Sequence, residues 1–376
     1  MPLFSELNLL PSLQKTLAEK GLITPTEIQI RALPALLGGK SVVGVAQTGT
    51  GKTLAYALPV LDRLKHLEIE GQPVKEESHP RAAVIVPTRE LGEQVSRVFK
   101  LFTHETRLRV RSVLGGTSLD VAKKNLKGPF EVLVATPGRL LQLMDRGLVS
   151  FSDVRILVFD EADQMLDPGF LPDAKRIIEA CPGERQLGLF SATISLPVQE
   201  LINELFSTAE VIRNEDTTRL VPTLTTKQRF VKSGIRFPFL EEELRISASG
   251  GTLIFVNTRE QCDEVAGLLQ AIGRECVVYR GEMDKVVRRS NLKSFRDGKV
   301  DLLVSTDLAS RGLDVPHVSR VINYHLPHSM ENYVHRVGRT ARAGRQGLVV
   351  NLVTKRDMPL MDAVDKTAIP EGAVTH

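Results

Sequence analysis

The stretch AQTGTGKT at residues 46–53 constrains this chain more than any other. It follows the apolar run VVGVA (42–46) and precedes LAYALPVLDRL (54–64), whose apolar positions recur at helical spacing. A strand, a glycine-rich turn and a helix in that order are what a phosphate-binding loop requires. Gly49 and Gly51 let the backbone turn tightly and aim its N–H groups inward at anionic oxygens. The helix starting near Lys52 adds the positive end of its dipole. Lys52 is placed to reach the β- and γ-phosphates of a nucleotide, and the Thr53 hydroxyl to help hold Mg²⁺. Thr48 and Thr50 complete the nucleotide-binding loop. Such loops generally open with glycine, and here Ala46 stands in that place.

A length of 376 residues predicts about two domains, each able to bury its own core. With 42% hydrophobic and 25% charged residues, the composition is that of a soluble globular protein. No apolar run approaches the length of a membrane span. The N-terminal MPLFSELNLLPSL lacks a basic segment followed by an apolar core, so it does not read as a secretory signal. Cys181, Cys262 and Cys276 are scattered with no CxxC pair. That argues against a disulfide framework or a zinc site and fits a reducing cytoplasm. The formal charge of +4 permits a polyanionic partner, whose basic footprint must then be local.

Along the chain, SELNLLPSLQKTLAEK (5–20) reads as a short amphipathic helix ending at Gly21, and Pro25 and Thr26 open another. Short β-branched runs then alternate with helical patterns: AAVIVPT (82–88), VRSVLGG (110–116), EVLVATPG (131–138), ILVFDEAD (156–163) and QLGLFSAT (186–193). Buried runs separated by helices mean parallel strands in βαβ units. HLEIEGQPVKEESHP (66–80) reads as a charged surface loop. Near 207–224 the pattern loses its period, and the interdomain linker is expected there, between domains 1–206 and 225–376. A second series follows: LIFVNT (253–258), CVVYRG (276–281), DLLVST (301–306), RVINY (320–324) and GLVVNLV (347–353). Only the first half has a GKT, which suggests that nucleotide sits in the first domain and is completed by the second.

VFDEAD (158–163) puts carboxylates at the C-terminal end of a buried strand, the edge where a parallel α/β sheet binds ligands. Asp160 is placed to coordinate Mg²⁺, largely through water, and Glu161 to polarise the attacking water. An acidic cap on the following helix is the plainer alternative, and the phosphate loop upstream tips the balance to catalysis. In ENYVHRVGRTARAGR (331–345), Arg336, Arg339, Arg342 and Arg345 recur every third residue, which on a helix makes one basic face. Most charge runs are solvated faces. A phosphate-loop ATPase, however, needs a cation for charge developing on the γ-phosphate, and supplying it from another domain makes hydrolysis depend on closure.

With these residues in place, the chain resembles the DEAD-box ATP-dependent RNA helicases, of the minimal two-domain bacterial type, over nearly its whole length. AQTGTGKT is similar to that family's own form of the phosphate loop, Ala46 included. Phe4 followed by GLITPTEIQ (21–29) resembles the adenine-reading segment, which implies that Phe4 stacks on the base and Gln29 hydrogen-bonds its edge. PTREL (87–91), Gly115–Gly116 and TPGR (136–139) resemble the first-domain RNA-backbone motifs, implying contacts from Pro87, Thr88, Arg89, Gly115, Gly116, Thr136, Pro137, Gly138 and Arg139. Such contacts position a strand without reading its sequence. DEAD (160–163) is the name-giving motif, and SAT (191–193) resembles the segment that links nucleotide state to closure; Asp163, Ser191, Thr193 and His335 carry that coupling by the same resemblance. FVNT (255–258) and STDLASRGLD (305–314) imply RNA contacts at Thr258 and Thr306 and a nucleotide contact at Asp314. HRVGRTAR (335–342) makes Arg339 and Arg342 the arginine fingers. Arg288 is the retained RNA-side arginine of KVVR (285–288), where Lys285 replaces the family's usual Gln, and Ala341 and Pro168 replace a usual Gly and Met.

The resemblance implies two tandem RecA-like α/β domains, ATP and Mg²⁺ as cofactors, and single-stranded RNA or short duplexes as partners, bound with little sequence specificity. Closure around ATP and RNA would assemble Lys52, Glu161, Arg339 and Arg342 at the γ-phosphate and bend one strand out of a duplex. An ATP-gated RNA clamp and a DNA translocase are the alternatives, told apart by multiple-turnover unwinding and by which nucleic acid stimulates hydrolysis. Nothing in the sequence calls for an oligomer.

Overall fold

In the computed structural model, residues 2–47, 49–165, 170–194, 196–214, 224–232, 234–307, 315, 317–341 and 345–368 are described. Two units divide the chain, Met1–Thr217 and Thr218–His376, and the division falls inside the stretch expected as the linker.

The first unit is built on a seven-stranded sheet. Its strands are β1 (Val42–Val45), β2 (Ala82–Ile85), β3 (Val110–Val113), β4 (Val132–Ala135), β5 (Ile156–Asp160), β6 (Gln186–Ser191) and β7 (Glu210–Arg213). They lie side by side in the order β3-β4-β2-β5-β6-β1-β7, with all neighbours parallel. Successive side chains of a strand point to opposite faces. Accordingly Val42, Ala82, Val84, Val132, Val134, Ile156 and Val158 enter one buried cluster, while Val43, Ala83, Ile85, Leu133, Leu157 and Phe159 enter another. Helices cover both clusters, which is why these strands are apolar throughout rather than alternating.

The second unit has a six-stranded sheet of β8 (Leu224–Phe230), β9 (Gly251–Val256), β10 (Val277–Tyr279), β11 (Leu302–Thr306), β12 (Val318–Asn323) and β13 (Gly347–Val353). Its order is β10-β11-β9-β12-β13-β8, again parallel throughout. Raising each label of the first sheet by seven reproduces this order, with β7 the extra strand. The same wiring therefore occurs twice. Again the faces alternate: Leu253, Phe255, Leu303 and Val321 pack on one side, and Ile254, Val256, Val304 and Ile322 on the other.

The expected strands are present, and some expectations are corrected. Residues 5–20 are not one helix: a 3-10 turn, Phe4–Glu6, precedes a helix Pro11–Glu19. Proline is costly inside a helix but tolerated at its first turn, and the helix starts at Pro11. The helix after the phosphate loop runs Lys52–Ile69, absorbing the start of the expected 66–80 loop. β7 and β8 lie in or beside the aperiodic 207–224 stretch. Both are half-solvated edge strands, and the sequence of β8, LTTKQRF, has no apolar alternation to announce it. The arginines after Met330 do not share one helical face, because the helix Met330–Val337 ends at Gly338. Among the described residues, no helix is long and apolar enough to cross a membrane.

Candidate functional site

On the first sheet, registered pairing brings the carboxyl ends of neighbouring strands within one residue of each other. Val45 of β1 is opposite Ser191 of β6, and Phe190 of β6 is opposite Asp160 of β5. The phosphate loop, the DEAD segment and the SAT segment therefore leave the sheet side by side. Ala46 N donates to Ser191 O at 3.0 Å, tying the start of the loop to β6. Gly49 and Gly51 have φ of 89° and 90°, the left-handed region that glycine enters without strain. Gly51 also admits a close neighbour: a Cβ there would meet Gln29 Nε2 at 2.4 Å. Gln29 donates to Gly51 O at 2.9 Å and accepts from Thr26 N at 2.9 Å, so the expected adenine reader is fixed against the phosphate loop. Its amide keeps one N–H and one lone pair beyond those bonds. Thr50 Oγ1 donates to Gln47 O at 2.7 Å, and Thr48 lies outside the described residues.

Lys52 opens the helix and is 6% exposed, its Nζ donating to Ala46 O at 2.7 Å. Asp160 and Glu161 are each 2% exposed. Burial pushes the Asp160 carboxyl up to about 6, with Lys52 pulling against the shift and Glu161 adding to it. Asp160 Oδ1 accepts from Glu161 N at 2.9 Å, and Oδ2 from the Tyr56 hydroxyl at 2.7 Å. Glu161 has φ 53°, an uncommon conformation for a residue with a side chain, and its buried Oε2 has no hydrogen-bond partner. Strain of this kind persists where the surroundings impose it, which is common at functional sites.

Asp163 joins the DEAD segment to SAT. Its Oδ2 accepts from Ala192 N (3.0 Å), Thr193 N (2.9 Å) and Thr193 Oγ1 (3.2 Å). Its own N–H donates to Ser191 Oγ at 3.2 Å, and that hydroxyl donates to Thr193 O at 2.8 Å. Phe4, expected at the base, is 3% exposed and packs in the core of the first unit.

The other half of the same edge carries the motifs expected to meet an RNA backbone. Ile85 and Val113 both pair with Ala135, so β2, β4 and β3 end level with one another. Thr88 caps the next helix, its Oγ1 accepting from Leu91 N at 3.3 Å; Pro87 precedes it, and the Arg89 guanidinium pairs with Glu93 at 2.9 Å. Gly115 N donates to Thr136 Oγ1 at 2.9 Å, and Gly116 turns at φ 80°. Pro137 and Gly138 start the following helix, and Arg139 donates to Thr117 O and to Gln142.

In the second unit, Thr258 repeats the role of Thr88: it follows β9, caps a helix and accepts from Gln261 N at 3.3 Å. Both threonines open a Thr-Arg-Glu run, a correspondence that the sequence pass did not use. Thr306 ends β11 and is 7% exposed. Arg288 donates to the Tyr279 hydroxyl at 3.1 Å and lies over its ring at 4.6 Å. His335 and Arg339 are 6% and 2% exposed, and Arg339 Nε donates to His335 O at 3.1 Å. Asp314, Arg342, Pro168 and the Lys285 side chain lie outside the described residues.

Two residues were missed. Tyr56 looks like core in sequence, an aromatic at helical spacing. Arg336 looks like part of a basic stripe, yet it is 1% exposed and binds the ends of three strands. It pairs with Asp307 after β11 (Nη2–Oδ2 2.8 Å) and donates to Asn257 after β9 (2.9 Å) and Asn323 of β12 (3.1 Å).

Family models agree with this geometry. The DEAD/DEAH box helicase model matches residues 26–202, and the helicase conserved C-terminal domain model matches residues 236–344. The chain is similar to the DEAD-box ATP-dependent RNA helicase RhpA of Helicobacter pylori, 38% identical across 94% of this chain and 70% of the relative. It is similar also to the ATP-dependent RNA helicase RhlB of Actinobacillus succinogenes, 35% identical across 96% of this chain and 87% of that one. Among solved structures, S. cerevisiae Dbp5 bound to RNA and ADP BeF3 is similar with a TM-score of 0.86, 30% identity and coverage of 97% of this chain and 93% of that chain. With two parallel sheets of one wiring, a phosphate loop beside a DEAD strand end, and these relatives, the chain belongs to the DEAD-box family of ATP-dependent RNA helicases.

Proposed function

We propose that the carboxyl edge of the first sheet works as two adjoining sites, ATP at β5-β6-β1 and an RNA backbone at β3-β4-β2. The observation that carries this reading is the register of the six strand ends, staggered by no more than two residues, which sets donors for phosphate beside the carboxylates for hydrolysis. Lys52, Gly49, Thr50, Gly51 and Thr53 take the triphosphate, and Gln29 takes the base edge. Glu161, with its unpartnered buried oxygen, orients the attacking water. Asp163 passes the state of this site to Ser191 and Thr193.

The residues present fit Mg²⁺. Asp160 is a buried carboxylate made harder to ionise by burial and by Glu161, and a divalent cation offers the missing counter-charge. Thr53 and Asp160 would hold it, largely through water. When bound, it neutralises charge on the β- and γ-phosphates.

RNA would lie against Pro87–Arg89, Gly115–Gly116 and Thr136–Arg139 in the first unit, and against Thr258, Arg288 and Thr306 in the second. The second unit also supplies Arg339 and Arg342 as cations for the γ-phosphate, Asp314 for the nucleotide and His335 for coupling. These residues bind backbone, so sequence preference is low, and 2′-hydroxyl contacts favour RNA over DNA. The test is ATP hydrolysis with single-stranded RNA, with DNA of the same sequence and with neither, for the chain and for E161Q. RNA-specific stimulation that E161Q lowers by about 10²-fold or more, with ATP binding retained, is expected. Equal stimulation by DNA, or full hydrolysis in E161Q, would overturn the reading.

A further inference from the structure

Tyr56 lies one helical turn beyond Lys52 and is fully buried. Its ring packs against Phe190 and Phe99, with centroids 5.1 Å and 6.3 Å away. Packing accounts for the ring but not for the hydroxyl, which Phe would lack at no loss of shape. A buried phenol needs a hydrogen-bond partner. Here the O–H donates to Asp160 Oδ2 at 2.7 Å, while Oδ1 of the same carboxylate accepts from Glu161 N at 2.9 Å. With one bond on each oxygen, the carboxylate has a single orientation. Thr53 stands three residues before Tyr56 on the same helix. Thr53 and Asp160 are the pair assigned above to Mg²⁺.

We propose that Tyr56 is a positioning residue for the metal side of this site, its hydroxyl fixing the Asp160 carboxylate so that its remaining lone pairs are set for a hydrated divalent cation. The inference rests on the assignment of Mg²⁺ to Thr53 and Asp160. It differs from a structural role in what it predicts: the hydroxyl matters to the cation and not to the nucleotide alone.

Y56F keeps the ring and removes only the O–H. The measurement is binding of a fluorescent ADP, without metal and across a Mg²⁺ titration, for the wild-type chain, Y56F and D160N. In Y56F the Mg²⁺ concentration for half-maximal effect should rise about tenfold, as expected for one hydrogen bond to a charged group, with metal-free ADP affinity unchanged within about twofold. D160N should lose most of the Mg²⁺ dependence. A wild-type Mg²⁺ response in Y56F beside a lost response in D160N overturns the role of Tyr56 alone. A wild-type response in D160N overturns the metal assignment beneath it. Equal weakening of metal-free and Mg²⁺-supported binding in Y56F makes the hydroxyl a packing group and also overturns the proposal. The split between the two affinities decides, whatever thermal unfolding of Y56F shows.

Discussion

Replacing Arg336 by alanine should destabilise the second unit and leave the first alone. The guanidinium has five N–H donors and five bonds: two to Asp307, one each to Asn257, Asn323 and the His325 carbonyl. It also lies over the Phe255 ring at 4.9 Å. Removing one partner of a buried ion pair costs about 3–5 kcal/mol, because the other charge stays behind uncompensated. The Asp307 side chain is 24% exposed and can recover some water, which puts the cost near the lower end, about 3 kcal/mol. For a domain of this size that is a fall of roughly 6–12 °C in unfolding temperature. Calorimetry of the full chain with and without an ATP analogue identifies the transitions, since the analogue should raise that of the first unit. R336A should lower the other one. Combining it with D307A should cost less than the sum of the two single changes, by about 1–3 kcal/mol, because the two side chains interact directly. A fall under about 2 °C, or one confined to the transition that responds to the analogue, would refute the reasoning.

Ala341 has φ 56°, where a side chain crowds its own backbone, so A341G should raise the unfolding temperature of the second unit by about 2–4 °C, for a gain near 1 kcal/mol; differential scanning calorimetry reads it. Burial, with Arg236 and Arg336 adding to it, pushes the His325 imidazole down from 6.5 to about 4. The unfolded chain therefore takes a proton at this position that the folded chain refuses, and stability falls as pH drops from about 6.5 towards 4 and is fully present above that window. Denaturant midpoints between pH 7 and 4.5 should show this slope in the wild-type chain and a shallower one in H325N.

The first sheet was legible because each of its buried strands is a short apolar run between helical patterns, and because AQTGTGKT and DEAD mark two strand ends. What was not legible has more than one cause. β7 and β8 are edge strands, half in water, so nothing in their sequences had to be apolar. The arginine ladder suggested one helical face, but Gly338 ends the helix and Arg336 turns inward. Spacing reports a face only while the helix lasts. Tyr56 was hidden for the opposite reason: its ring satisfies the apolar pattern, and the pattern says nothing about a hydroxyl that finds Asp160 more than a hundred residues away. Phe4, given a base-stacking role by resemblance, also serves the core of the first unit.

The wiring that occurs twice differs at one point of chemistry. After β1 the chain enters the phosphate loop, whereas after β8, its counterpart, it passes through Val231 to the helix Phe237–Arg245 with no such loop. The Thr-Arg-Glu turn, by contrast, is kept after both β2 and β9. On the proposed assignment of these residues to RNA backbone, a duplicated fold would have specialised one copy for fuel while both copies keep the same grip. That division suits a polymer whose backbone presents the same phosphate at every step, because a repeated ligand can be held by a repeated reader. The same assignment would set the cycle at one nucleotide for each pair of grips.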